Sequence, residues 1–116
     1  MATKQSLITY HADSPAIQAL ISEFGERLST LSACEKLNLL AIFGDWQEFD
    51  TRSQEEGDDP ITLSDFLQSD LIRVEPFSSD VERCLEILAD YNIGDDSTLG
   101  LCVSICHQLM EGYYLK

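Results

Sequence analysis

Apolar positions recur along this chain at spacings of three and four, and no long alternating run interrupts them, so the pattern predicts helices. Ser14-Pro15 opens the first, with serine as N-cap and proline at the first helical position, where its missing N–H is not needed. Ile17, Leu20, Ile21, Phe24, Leu28 and Leu31 follow as one stripe, with Gly25 off it, where it allows a close neighbour. Ser32-Ala33-Cys34-Glu35 is a capping box for a second helix. Its core face reads Leu37, Leu40, Phe43, Trp46 and Phe49, widened by Leu39 and Ile42, which predicts a central place in the packing. That helix ends between Phe49 and Gln54, and Gln54–Pro60, with nothing to bury, reads as a loop.

Thr62–Asp65 is a second capping box, and Leu63, Phe66, Leu67 and Leu71 give a short third helix stopped by Pro76. Ser79-Asp80-Val81-Glu82 starts a fourth, with the stripe Val81, Cys84, Leu85, Leu88 and Tyr91 and Gly94 as its stop. Asp95-Asp96-Ser97 caps a fifth, striped by Leu99, Cys102, Cys106, Leu109, Met110 and Tyr113 and ended by Gly112.

The fold class expected is therefore all-α: a single-domain bundle of about five amphipathic helices over 14–116, preceded by a flexible or extended N-terminal arm over 1–13. Leu20, Phe24, Leu40, Phe43, Leu85, Leu88, Cys106 and Leu109 are expected in the core. The segments that would carry strands if this were wrong are 6–10, with Leu7-Ile8-Thr9-Tyr10, and 71–77. A length of 116 residues suits one domain that buries roughly two-thirds of its extended surface. An apolar fraction of 44% rules out a disordered composition. No apolar run approaches the ~20 residues that span a bilayer, and Met1–Ser6 does not read as a secretory signal, so a cytoplasmic protein is expected.

Charge changes the picture most. Twenty-one acidic against seven basic residues give −14, which excludes direct binding to nucleic acid or an anionic membrane and favours a basic partner. The acids are unevenly spread. Glu23 with Arg27 and Glu48 with Arg52 read as i, i+4 pairs. Glu82, Glu86 and Asp90 form instead a row about 12 Å long, offset only by Arg83. Residues 45–65 carry eight carboxylates against Arg52 alone, with Glu55, Glu56, Asp58 and Asp59 in the loop.

Catalytic chemistry finds little footing. The histidines are His11 in the arm and His107 beside the fifth stripe, no Gly-x-Ser-x-Gly elbow is present, and the chain reads as no enzyme. Cys102 and Cys106 stand one turn apart with His107 adjacent, but no Cys-x-x-Cys knuckle accompanies them, so no metal ligand or cofactor is assigned. The acidic loop lacks the alternating ligands of a calcium loop, and Lys4, Lys36 and Lys116 sit in no phosphate-binding context. Cys84, Cys102 and Cys106 lie on core-facing stripes and read as shielded, reduced thiols. Cys34, in a first helical turn, is the more accessible.

These features point to a non-catalytic protein–protein interaction module, an adaptor, assembly factor or regulator. Its expected contact residues are Glu82, Glu86, Asp90, Glu55, Glu56, Asp58 and Asp59, with Trp46 as aromatic anchor and Phe49 and Tyr113-Tyr114-Leu115 as further aromatics. The alternatives are an acidic nucleic-acid mimic that inhibits a nuclease or DNA-binding protein, and a thiol or metal site at Cys102, Cys106 and His107. An acidic surface serving solubility alone is the plain competitor, and self-association is compatible with all of them.

Overall fold

Ser14 and Pro15 open the first helix as their chemistry requires: the serine hydroxyl accepts from the Ile17 N–H, and proline takes the first turn. The computed structural model describes residues 14–114; the arm over 1–13, with Lys4, Leu7–Tyr10 and His11, lies outside the described residues, as do Leu115 and Lys116. The described chain is all-α, with five helices in order: α1 (Pro15–Phe24), α2 (Ala33–Glu55), α3 (Leu63–Leu67), α4 (Ser79–Asp90) and α5 (Asp95–Glu111). No helix among the described residues is long and apolar enough to cross a membrane.

Several boundaries differ from the sequence reading. α1 stops at Phe24 because Gly25, at φ 84°, turns the chain out of the helix, and open space rather than a neighbour surrounds it. Leu28 and Leu31 still reach the core, but from a loop in which Leu28 holds φ 49°, a left-handed conformation kept by complete burial of its side chain. α3 is only five residues long, and Leu71, assigned to its stripe, lies beyond it and exposed. Ser78, not Ser79, caps α4: it accepts from the Val81 N–H and donates to Glu35 Oε2 at 2.7 Å, joining the starts of α4 and α2. α4 ends through Asn92 at φ 50°, with Ile93 donating to the Leu88 carbonyl, so Gly94 is the N-cap of α5 and not the stop of α4. No side-chain hydrogen bond caps α5, contrary to the expected Asp95-Asp96-Ser97 cap. Gly112 ends α5 as expected, in the left-handed conformation.

α2 is the spine. α5 and α4 pack on it, while α1 and α3 pack on α4. Leu20, Phe24, Phe43, Leu85 and Leu88 are buried as expected, and Leu40 and Leu109 pack half-buried against them. Cys106 is exposed. On α2 the buried face is Lys36, Leu39, Phe43, Trp46 and Asp50, flanked by Ile42 and Asp45, and Leu37 faces outward. Helix geometry explains the correction. At 100° per residue, an unbroken i+3 row from Leu37 to Phe49 drifts by 60° at each step and leaves the face, whereas steps of three and four in alternation hold it.

Polar side chains of α2 then anchor two irregular segments. Asp50 accepts from the Ile61 N–H (2.8 Å), and Trp46 Nε1 donates to the Ile61 carbonyl (3.0 Å), so two side chains one turn apart satisfy both backbone groups of one residue. Asp45 accepts from the Arg73 N–H at 2.7 Å, and Asn38 donates to the Glu75 carbonyl (3.1 Å) and accepts from the Phe77 N–H (3.1 Å). Residues 71–77 run irregularly along α2, their backbone partners supplied by helix side chains in place of a sheet.

Candidate functional site

The anchored 71–77 segment forms a wall. Between it, α3 and α4 lies a groove of about 320 Å³ whose apolar lining is Leu67, Ile72, Pro76, Leu85 and Ala89. Glu75, Glu82, Glu86 and Asp90 border that lining, with Ser64 and Gln68 at the α3 side. The acidic row expected on the fourth helix is thus one rim of a concave, mostly apolar site, the form in which ligand sites usually occur.

The row is less bare than its spacing suggested. Arg83 donates to Glu86 at 2.7 Å and makes a two-pronged contact with Glu23 at 2.8 and 2.9 Å, crossing from α4 to α1. The Arg83 hydrogen bonds hold the Glu23 carboxyl below its ordinary value. Glu23 therefore pairs with Arg83 and not with Arg27. Arg27 lies 4.8 Å over the Tyr113 ring. Glu82 and Asp90 enter no ion pair among the described residues and remain the row's open charges. The Glu48–Arg52 pair forms as expected, at 2.8 Å, and Glu48 also meets Arg73 at 3.0 Å.

The remaining expected contact residues separate from the groove. Glu55, Glu56, Asp58 and Asp59 are exposed at and beyond the end of α2, and none lines it. Trp46 cannot be a surface anchor: it is 2% exposed, spent on the core and on Ile61. Phe49 is half-buried and rests 6.1 Å from the Phe66 ring, and Tyr113 is engaged by Arg27. Aromatics at an element's end are core cover here, because the loops they adjoin carry little apolar surface of their own. Leu67, Ile72, Glu75, Pro76 and Ala89 were missed. The only local signal for them is the Ile72–Pro76 stretch, too short and too mixed to reveal which side faces a groove.

Lys36 is the other residue the sequence reading passed over. Fully buried, its ammonium donates to the Arg27 carbonyl (2.9 Å), to Gln108 Oε1 (2.9 Å) and to the Tyr113 carbonyl. It thereby closes the C-terminal end of α5, where the helix dipole is negative, and ties that end to the loop after α1. Burial pushes its pKa down to about 8. Extending the stripe Phe43–Leu39 back by three residues reaches Lys36, and that register was the available signal.

The cysteines split two and two. Cys34 and Cys106 are exposed, Cys84 is buried and Cys102 half-buried. Burial, reinforced by Asp80, Glu35 and Glu23, pushes the Cys84 thiol up to about 12, and burial with Cys106 nearby pushes Cys102 to about 11. A thiol reagent added to native protein is expected to titrate Cys34 and Cys106 quickly, Cys102 slowly and Cys84 only on unfolding. One common rate for all would contradict this arrangement. Cys102, Cys106 and His107 do not converge: among the described residues no group of three or more His, Cys, Asp or Glu side chains is placed to hold a metal ion. No family model matches the chain, nor does any curated protein or solved structure compared with it.

Proposed function

We propose that this protein is a non-catalytic docking module whose groove takes a basic, amphipathic segment of another protein. The observation that carries the reading is the juxtaposition of an apolar floor with four carboxylates, Glu75, Glu82, Glu86 and Asp90, along its borders. An apolar side chain seated on Leu67, Ile72 and Leu85 would contribute about 1.5–3 kcal/mol. Lysine or arginine beside it would meet the rim, which favours fast, salt-sensitive association more than raw affinity. The polar lining is carboxylate, amide and hydroxyl, a set suited to holding cations and N–H donors. Free thiols accord with the expected cytoplasmic setting.

The test is capture of partners from the source cell on immobilised wild type and on two variants, followed by kinetics with the purified partner. Glu82→Lys with Asp90→Lys reverses the open charges and leaves the Arg83–Glu86 pair in place. Its expected effect is association slowed about tenfold at low salt, converging on wild type as salt rises. Ala89→Trp fills the groove and is expected to speed dissociation at any salt. Capture that survives both variants would refute the groove. Sensitivity to charge alone, with Ala89→Trp silent, would favour the nucleic-acid mimic instead.

A further inference from the structure

α5 carries two apolar faces, and only one of them is covered. The buried face is Thr98, Leu101, Ile105 and Gln108, with Ser104 beside it. The stripe read from sequence lies one residue further on, and much of it is open: Leu99 is 53%, Val103 44% and Met110 79% exposed, and Cys106 is exposed as well. Leu99, Val103, Cys106 and Met110 are spaced four, three and four residues apart, a straight seam about 16 Å long. No Asp, Glu, Lys or Arg occurs from Ser97 to Met110, in a chain that is 24% charged and carries −14. An open, charge-free helix face on so acidic a molecule is the composition of an interface centre, where charged residues are depleted.

We propose that this seam is where a second copy of the chain docks, antiparallel, about a twofold axis between Ser104 and Ile105. Two features select a second copy. The spacing four, three, four reads the same in both directions, so Leu99 meets Met110 and Val103 meets Cys106 of the second copy, as an isologous contact demands. Electrostatics acts with it. Two molecules of charge −14 repel wherever their carboxylates face each other, and α5 offers a face on which they approach without opposing side-chain charges. Four side chains present less than the ~800 Å² per partner of a standard interface, so dimerisation is concentration-dependent. Added salt strengthens it by screening the repulsion between the two bodies. That dependence is opposite in sign to the one expected for a basic segment in the groove, so the two proposals stand or fall separately.

The experiment is sedimentation of the full chain across concentration and salt, with Val103→Glu and Met110→Glu as variants at positions whose exposure leaves the fold intact. Wild type is expected to approach twice its 13.0 kDa, more readily at high salt, and each variant to remain at the monomer mass. In a Cys34→Ser background, Val103→Cys sets the introduced thiol against Cys106 of the second copy. A mild oxidant is then expected to trap a covalent dimer that Cys106→Ser abolishes. A wild type that stays monomeric at high concentration and high salt overturns the proposal, as does a dimer indifferent to both glutamates. A dimer in which Val103→Cys forms no cross-link overturns the antiparallel arrangement.

Discussion

Replacing Lys36 with methionine is expected to destabilise the fold by about 3 kcal/mol at neutral pH, with a gap from wild type that widens as pH rises. Three acceptors lose their donor: the carbonyls of Arg27 and Tyr113 and Oε1 of Gln108. At about 2 kcal/mol each, these outweigh the roughly 3 kcal/mol recovered by not burying an ammonium. The pH dependence follows from the depressed pKa. Between about 8 and the ordinary lysine value of 10.5, the native state has released a proton that the unfolded chain still holds. Wild-type stability therefore gains with pH across that window, by up to ~1.4 kcal/mol per unit, and Lys36→Met lacks the gain. Denaturant unfolding of both proteins from pH 6 to about 10 checks it. A difference that stays flat with pH would show that the ammonium keeps its ordinary pKa.

Asp45→Ala is expected to cost about 2 kcal/mol and to loosen the groove. The carboxylate accepts from the Arg73 N–H and Nε, both at 2.7 Å, and pairs with Nη2 at 2.6 Å. Arg73 is exposed and its guanidinium re-solvates, so most of the cost falls on the backbone N–H left behind. Burial alone would raise the Asp45 pKa, but the hydrogen bonds from Arg73 outweigh it and hold the carboxyl below its ordinary value. The stability it contributes is present above the unfolded-state pKa of 3.8 and disappears as pH falls through the lower folded value. Amide exchange supplies the specific readout. The Arg73 N–H should lose protection in Asp45→Ala, and binding in the groove should weaken even where the protein remains folded. Protection that persists would mean that Asn38, at Glu75 and Phe77, holds the segment unaided.

Start signals were legible because they are local. The Ser14 cap and the Ser32–Glu35 box form where the sequence places them, since each needs only residues within one turn. Ends were less so: α1 stops at Gly25, while Asn92 does for α4 what Gly94 was expected to do. Of the candidate site, the row Glu82, Glu86 and Asp90 was readable as a helix face. Its meaning as a rim required Ile72 and Pro76, which Asp45 and Asn38 bring to it from 28 and 37 or more residues away. Trp46 was misplaced for a similar reason, because the carbonyl that takes its indole N–H belongs to Ile61 in another segment.

The sequence alone determined that this chain is helical, where each helix begins, and that its surface is strongly acidic. Periodicity, capping chemistry and composition act over one or two turns and need no knowledge of what lies opposite. Which face of a helix turns inward, where two are apolar, was decided only by the tertiary structure. α5 can bury Cys102, Cys106 and Leu109 or Leu101, Ile105 and Gln108 with comparable apolar content. The second set wins where Gln108 meets Lys36. A buried ammonium must find acceptors, and the acceptors it finds lie 72 residues further along the chain, beyond the reach of any local pattern.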